Sequence, residues 1–322
     1  MRLRALPLRV QRVHCAIAPV AVPSYPDGPR PSSTLVLEGG GAIGRGEHVG
    51  WSDDVHTGFA ARVASLSLDA CTTVGETSAL ARARLDGSYD RAALEAAAID
   101  LALRQAATDL PTLADAAPQP VRYVLSFERV ADPVARARRE LTANPDLELK
   151  IDADPGWSDA VLGALAALER VAVLDFKQSG GRAAYLRAHR LLPDVLLEDP
   201  LPDAAAWPAS LCARLALDAP ITSAASVAAL TSRPAAINVK PSRVGGVLEA
   251  LDVVAACAER GIDVYLGGMF EVGVGRVLVQ TLASLLSPDG PNDVAPIGRA
   301  GEIPPRPSRL VPQPPPGGGI AS

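Results

Sequence analysis

The sequence has 322 residues, 48% of them hydrophobic, and a formal net charge of −5 at pH 7. This length and apolar content suffice for one large barrel with a smaller domain, and they exclude global disorder. The acidic balance gives no basic footprint for nucleic acid. No segment reaches the roughly 18 apolar residues of a membrane span. Four scattered cysteines without a C-x-x-C pair argue against structural zinc and disulfides, so we expect a cytoplasmic protein.

Residues 1–118 are predicted to form an α+β domain. Short strand-like segments come first, and an alanine-rich helical pattern follows at Asp90–Arg104. Strands followed by helices, without alternation, are typical of a separate α+β unit. The proline-rich segment Pro23–Pro31 is expected to be a loop that reaches towards a site.

A glycine-rich segment in this domain, Gly39–Gly44, matches the dinucleotide-binding pattern G-x-G-x-x-G. That pattern binds a pyrophosphate only where a helix begins directly after the glycines. The residues that follow, Arg45–Gly50, have no helical pattern. We therefore predict a hairpin turn here and no dinucleotide cofactor.

From Val121 onwards the pattern changes to short apolar strands that alternate with amphipathic helices. About seven strands can be counted up to Leu266, and an eighth is expected near Val294. Alternation of this kind predicts an α/β fold, with a (β/α) barrel at residues 119–301. Residues 302–322 are rich in proline and glycine and are predicted to be a disordered tail.

Five charged residues lie near the ends of successive strands in the barrel region, 20 to 25 residues apart. They are Lys150, Asp175, Glu198, Asp218 and Lys240. Since a (β/α) barrel presents the C-terminal ends of all its strands on one face, these side chains are expected to converge. A single acidic residue at a strand end usually caps the next helix, but three in succession between two lysines favour a site.

The three carboxylates, Asp175, Glu198 and Asp218, are predicted to bind Mg²⁺, a hard cation that prefers oxygen ligands. Lys150 and Lys240 would stand on either side of that cation in a confined space. Such a position disfavours the charged form of a lysine and lowers its pKa to about 7–8, a value that suits a general base. We therefore predict two catalytic lysines.

Asp152 is an alternative to Asp175 as the third-strand ligand. The segment Lys150–Trp157 has the sequence Lys-Ile-Asp-Ala-Asp-Pro-Gly-Trp, which resembles the Asp-x-Asn-x-x-Trp segment at the third barrel strand of the enolase superfamily. Placing Asp152 on the third strand would force two strands and two helices into Val121–Asp152, which is too short. Strand counting therefore favours Asp175.

Three segments of the barrel region resemble the enolase superfamily, in particular its muconate-lactonizing subgroup, which includes o-succinylbenzoate synthases and dipeptide epimerases. They are Glu198-Asp-Pro-Leu, the lysine and paired glycines of Ile237–Gly246, and the glycine- and glutamate-containing Gly267–Gly275. The alanine-rich Ala92–Ala102 and the turn Gly44-Arg-Gly-Glu47 are similar to parts of that family's N-terminal capping domain.

This resemblance implies a modified TIM barrel with an N-terminal α+β capping domain. It also implies Mg²⁺-dependent removal of the α-proton from a small carboxylate substrate through an enediolate. The outcome would be racemisation or epimerisation, or β-elimination as in an o-succinylbenzoate synthase-like dehydration. A non-catalytic, metal-binding member of the fold is the alternative. The sequence does not decide between a monomer and a homo-oligomer.

The sequence departs from the family pattern at two positions. Glu148 stands where the second barrel strand usually has the first lysine of Lys-x-Lys. Lys177 stands two residues after Asp175, where the family usually has asparagine. Lys177 has no role in the predicted chemistry, and it leaves the substrate class open.

Overall fold

The computed structural model describes residues 2–20, 30–50, 52–201, 207–297, 305–313, 315 and 317–321. Most of the predicted loop Pro23–Pro31 lies outside these residues. The helices and strands run in the following order: β1 (Arg12–Val20), β2 (Arg30–Gly39), β3 (Ala42–His48), α1 (Asp53–Ala64), α2 (Val74–Arg84), α3 (Ser88–Gln105), α4 (Leu110–Ala114), β4 (Val124–Phe127), α5 (Pro133–Ala143), β5 (Glu148–Asp152), α6 (Asp159–Ala166), β6 (Val171–Asp175), α7 (Arg182–Leu191), β7 (Leu196–Glu198), α8 (Ala209–Cys212), β8 (Leu215–Leu217), α9 (Ala224–Ala228), β9 (Ala236–Val239), α10 (Pro241–Val244), α11 (Val247–Glu259), β10 (Asp263–Leu266) and α12 (Val274–Leu286).

The N-terminal domain is an antiparallel sheet in the order β1-β2-β3, covered by helices of which α3 packs most closely on β3. The predicted hairpin turn is confirmed, because β2 and β3 pair as far as Gly39 and Ala42, and the glycines at 40 and 41 have φ of 58° and 80°. Only glycine adopts this left-handed backbone without strain. Gly46 has another function, since a Cβ there would lie 2.0 Å from the carbonyl oxygen of Ala93 on α3. The glycine therefore permits close packing of helix on sheet.

The second domain is a parallel sheet of seven strands in the order β10-β9-β8-β7-β6-β5-β4, with helices between successive strands. The predicted eighth strand is reduced to two bridges, which join Asn292 to Tyr123 and Asp293 to Gly267. The side-chain oxygen of Asn292 accepts from the backbone N–H of Leu266 (2.7 Å), and its amide donates to the carbonyl oxygen of Arg122 (2.9 Å). This segment closes the sheet between β10 and β4. The predicted (β/α) barrel with an N-terminal α+β capping domain is confirmed.

Buried carboxylates of the capping domain fix it to the barrel. Glu47, at the end of β3, accepts backbone hydrogen bonds from Val272 (2.8 Å), Gly273 (2.9 Å) and Gly275 (3.2 Å), which lie at the start of α12. Glu95, in α3, accepts one from Leu248 at the start of α11 (2.9 Å). Both contacts hold segments that follow barrel strands, so they help to position the mouth of the barrel.

The described part of the proline-rich tail packs against both domains, which differs from the predicted disorder. Leu310 forms an antiparallel bridge with Val121, and Ile320 is only 3% exposed. The backbone N–H of Ile320 donates to Asp100 of α3 (2.7 Å). The apolar side chains of Leu310 and Ile320 provide these buried contacts, which the proline and glycine content of the segment does not reveal.

No helix within the described residues is long and apolar enough to cross a membrane.

Candidate active site

The five predicted site residues meet at the mouth of the barrel. Asp175 and Glu198 are the last residues of β6 and β7, and the register places them opposite each other. Asp218 follows β8, Lys240 follows β9, and Lys150 lies inside β5. All five side chains are at least nine-tenths buried. The parallel strands bring these residues together because each strand ends on the same face.

The three carboxylates form a compact group that can hold a metal ion. One oxygen from each of Asp175, Glu198 and Asp218 lies within 4.8 Å of the other two. Their relative exposures are 0%, 0% and 3%, so water offers them little compensation. Three buried carboxylate oxygens fit a hard divalent cation better than a soft one. Asp152 pairs with Asp175 in the β5–β6 ladder and lies on the second barrel strand, as strand counting predicts.

Lys150 lies between several of these acids. Its Nζ is 2.6 Å from Glu198 Oε1, 3.3 Å from Asp175 Oδ2 and 3.4 Å from Asp293 Oδ2. Burial disfavours its charged form, but Glu198, Asp175 and Asp293 outweigh burial and raise the pKa of Lys150 well above its ordinary value. The pKa of Lys150 therefore shifts in the direction opposite to the predicted one, and that prediction assumed a cation beside the lysine. The neighbours in the structure are carboxylates.

Glu198 is held from three sides. Besides Lys150, Asn238 donates to its Oε1 (3.2 Å) and the Tyr265 hydroxyl donates to its Oε2 (2.5 Å). Burial raises the pKa of Glu198 to about 7; Lys150 opposes the increase, and the nearby Asp175 and Asp218 add to it. Glu198 is therefore the carboxylate whose ionisation costs most in this arrangement.

Asp218 has two cationic partners, Lys240 and Arg243. Lys240 Nζ donates to Asp218 Oδ2 (2.9 Å), and Arg243 contacts Oδ1. Burial opposes ionisation, but Lys240, Lys150 and Arg243 outweigh it and lower the pKa of Asp218. The Asp199 side chain accepts the backbone N–H of Asp218 (2.7 Å), which fixes the start of this loop.

Asp175 is engaged by Lys177 at both carboxylate oxygens. The backbone N–H of Lys177 donates to Oδ1 (2.9 Å), and its Nζ contacts Oδ2. Burial would raise the pKa of Asp175, but Lys150 and Lys177 hold it well below its usual range. Lys177 also lies 3.3 Å from Asp152 Oδ1.

The other departure from the family pattern, Glu148, is paired with Arg122 (2.5 Å) and contacts none of the three carboxylates.

The sequence predictions missed four residues that contact the site: Asn238, Tyr265, Asp293 and Arg243. Asn238 precedes Lys240 by two residues, so the period of a strand places both side chains on the same face. Tyr265 is its register partner in β10. The period of two would have revealed Asn238, whereas Tyr265 and Asp293 required knowledge of how neighbouring strands pair.

Two family models match this sequence. "Domain of unknown function (DUF8230) N-terminal domain" matches residues 1–113, and "Domain of unknown function (DUF8230) C-terminal domain" matches residues 117–299.

Among curated proteins, the o-succinylbenzoate synthase of Enterococcus faecalis is 33% identical over 166 residues, which cover 51% of this chain and 40% of that protein. The N-succinylamino acid racemase of Amycolatopsis is 34% identical over 163 residues, which cover 46% of this chain and 44% of that protein. The chain therefore spans less than half the length of these relatives.

Solved structures share the whole two-domain architecture. A member of the enolase superfamily from Listeria innocua has a TM-score of 0.76 at 21% identity, covering 89% of this chain and 86% of that one. A dipeptide epimerase from Methylococcus capsulatus, complexed with a Mg ion, has a TM-score of 0.72 at 20% identity and covers 87% and 88%. These comparisons confirm the resemblance that the barrel motifs indicated. The chain belongs to the DUF8230 family, and its fold is that of the enolase superfamily.

Proposed function

We propose that this protein is a Mg²⁺-dependent enzyme that removes the α-proton of a small carboxylate substrate and returns a proton to the enediolate, so that the α-carbon is racemised or epimerised. The observation that carries this proposal is the group of three buried carboxylates with a buried lysine on each side. Lys150 contacts Glu198 and Asp175, whereas Lys240 contacts Asp218. β5 and β9 lie on opposite sides of the three strands that carry the acids.

Asp175, Glu198 and Asp218 would hold the cation. Bound Mg²⁺ would act as a Lewis acid that polarises the substrate carboxylate and makes the neighbouring C–H more acidic. The donor set fits this ion because it consists of oxygen atoms only and each ligand is held by neighbours. Asn238 and Tyr265 fix the orientation of Glu198, so this carboxylate is directed before the ion arrives.

The two lysines supply the proton transfers. An Nζ that is neutral when substrate arrives accepts the α-proton, and the ammonium on the opposite side donates one to the other face. Lys150 is kept charged by carboxylates that would be shared with Mg²⁺, and sharing them weakens their hold on its proton. The ammonium that is not the base stabilises the developing negative charge of the enediolate.

A second outcome is favoured by the relatives. The Enterococcus faecalis protein that matches this chain is named an o-succinylbenzoate synthase, and so are matching proteins from Bacillus subtilis and two Geobacillus species. The same α-proton abstraction, followed by departure of a β-hydroxyl group, gives such a dehydration. One lysine would then serve as base and acid, and the other would give only electrostatic support.

Exchange of the α-proton with solvent deuterium tests the proposal. We expect Mg²⁺-dependent exchange, followed by mass spectrometry, for at least one compound in a panel of dipeptides, N-succinyl amino acids and other α-substituted carboxylates. Chelation of the metal should stop the exchange and addition of Mg²⁺ should restore it. A panel without any metal-dependent exchange would favour a non-catalytic member of the fold instead.

Lysine variants distinguish the two outcomes. In a racemase or epimerase, Lys150→Ala should abolish exchange of one stereoisomer and spare the other, and Lys240→Ala should do the reverse, because the two amines face opposite sides of the α-carbon. In a dehydratase, loss of the supporting lysine should slow the reaction by about 10²–10³ without a stereochemical division. Arg190→Ala is the control and should leave the exchange of both stereoisomers unchanged, since Arg190 is exposed on α7 and pairs with Asp159 (2.7 Å).

A further inference from the structure

Lys177 occupies one of the two positions at which this sequence departs from the enolase superfamily pattern, and it contacts a predicted metal ligand directly. Its Nζ contacts Asp175 Oδ2, and its backbone N–H donates to Asp175 Oδ1 (2.9 Å). Lys150 reaches the same Oδ2 at 3.3 Å. Both oxygens of Asp175 are therefore engaged by groups that carry positive charge or a donor hydrogen. A cation that binds Asp175 through Oδ2 therefore meets two ammonium groups and has to displace one of them.

The Lys177 ammonium is the group that can leave. The side chain of Lys177 is 47% exposed, whereas that of Lys150 is 1% exposed. Water can therefore hydrate the displaced ammonium of Lys177 at low free-energy cost. A second acceptor is already near, because Asp152 Oδ1 lies 3.3 Å from Lys177 Nζ. Asp152 is part of β5 and is 22% exposed. The lysine can therefore transfer from one carboxylate to the other by a small rotation of its side chain.

The backbone at this position is held in place. Lys177 and Gln178 both have left-handed φ angles, 49° and 55°, which are unusual for residues other than glycine. The N–H of Gln178 donates to the carbonyl oxygen of Asp199 (2.8 Å), next to the ligand Glu198. Since these contacts fix the main chain, movement of Lys177 is confined to its side chain.

We propose that Lys177 competes with Mg²⁺ for Asp175, and that Asp152 receives the displaced ammonium when the metal binds. This inference rests on the metal site of the proposed function. Its consequence is that the Lys177–Asp152 pair sets the affinity for Mg²⁺ and keeps Asp175 compensated before the metal arrives.

Metal binding by isothermal titration calorimetry tests the competition without any assay of activity. Lys177→Met keeps a long unbranched side chain and removes its charge. We expect it to tighten Mg²⁺ binding by about five- to tenfold at low salt, since an ammonium no longer competes for Asp175. Lys177→Arg, which keeps the charge, should bind Mg²⁺ as weakly as the parent.

Arg129→Met is the matched control for the general effect of charge. Arg129 is exposed near the same loop, and it donates to Ala153 O (2.6 Å) and Ser179 Oγ (3.1 Å) rather than to a carboxylate. Removing this charge should change the Mg²⁺ affinity by less than twofold, because a solvated charge that contacts none of the carboxylates acts on them only weakly through water. Tightening as large as in Lys177→Met would overturn the proposal.

Asp152→Asn tests the second half of the proposal. It should weaken Mg²⁺ binding about threefold when Lys177 is present, because the displaced ammonium loses its acceptor, and it should have no effect in the Lys177→Met background. The same loss in both backgrounds would contradict the transfer. If the parent binds Mg²⁺ and Lys177→Met does not tighten it, this inference fails alone. If parent and variant both bind no Mg²⁺, the proposed metal site fails with it.

Discussion

Two regions of this molecule bury acidic side chains, and they compensate them in different ways. At the domain interface, Glu47 and Glu95 of the capping domain accept hydrogen bonds from backbone N–H groups at the starts of α12 and α11. At the mouth of the barrel, Asp175 and Asp218 are paired with side-chain cations, Lys177 and Lys240 among them. The residue types and their burial are similar, but the partners are not.

The pKa directions follow this difference. Burial raises the pKa of Glu47 and of Glu95, and the backbone hydrogen bonds only partly offset it. Burial acts in the same direction on Asp175 and Asp218, but there the ammonium and guanidinium groups outweigh it and lower the pKa. At these two aspartates several cationic groups act together, whereas at Glu198 the ammonium of Lys150 does not outweigh burial and the neighbouring carboxylates.

The nature of the partner also decides what each region can do. A backbone N–H is fixed by its helix and cannot be exchanged for another donor, so the interface carboxylates act as permanent links between the domains. A lysine side chain can move away and leave its carboxylate for a metal ion. We therefore expect substitutions of the interface carboxylates to lower stability, and substitutions of the carboxylates at the barrel mouth to lower metal affinity.

The largest effect on stability is expected at the interface. Glu95→Ala leaves the N–H of Leu248 and the hydroxyl of Ser78 without their acceptor in a region where Glu95 is 2% exposed. Unsatisfied buried donors and the space left by the side chain should reduce the free energy of unfolding by about 2–4 kcal/mol. Chemical denaturation measures this value. Glu259→Ala, on the exposed face of α11, is the control and should change stability by less than about 0.5 kcal/mol.

A smaller effect on stability is expected at the barrel mouth, and it should differ among the three acids. In metal-free protein, Asp175→Asn removes the partner of two lysines and should cost about 1–2 kcal/mol. Glu198→Gln should be nearly neutral, because the pKa of Glu198 is raised to about 7 and its ionisation is already unfavourable. Calorimetry should show weaker Mg²⁺ binding for both variants, and equal affinity to the parent would place the metal elsewhere. Glu198→Gln as costly as Asp175→Asn would contradict the difference between these acids.

Much of the site could be predicted from sequence because it repeats with the βα unit. Lys150, Asp175, Glu198, Asp218 and Lys240 follow the interval of one strand and one helix, and the structure brings all five together. The glycines before Ala42 were sufficient to predict the hairpin. These features depend on local pattern and on the shared direction of parallel strands.

The remaining features depend on contacts between distant segments. Asp293 belongs to a barrel position that consists of isolated bridges, so it has no strand pattern of its own. Tyr265 reaches Glu198 across the barrel, 67 residues away in sequence. The tail was predicted to be disordered from its proline and glycine content, yet Ile320 is buried against α3. Periodicity predicts which side chains share one face of a strand, but it does not predict which distant segment they contact. Composition predicts neither.

The smallest effect expected from the comparison is a difference in pH dependence between the two regions. The pKa of Glu95 in the folded protein lies above its ordinary value of 4.5, so the folded state holds this proton more strongly than the unfolded state. Stability therefore falls as the pH rises above 4.5, until Glu95 is ionised in both states. Asp175 has the opposite sign, since its lowered pKa contributes stability that is lost as the pH falls below its ordinary value of 3.8.

Glu95→Gln tests this sign. Glutamine keeps an oxygen that can accept from Leu248 but cannot ionise, so the variant should lose less stability than the parent when the pH is raised from about 4.5 to 7. Urea denaturation in metal-free buffer at a series of pH values gives the two curves. Glu259→Gln should follow the parent, because Glu259 is exposed. Parallel curves of stability against pH for the parent and Glu95→Gln would show that the interface carboxylate is no harder to ionise than an exposed one. The two regions would then differ in the geometry of their partners and not in their pKa directions.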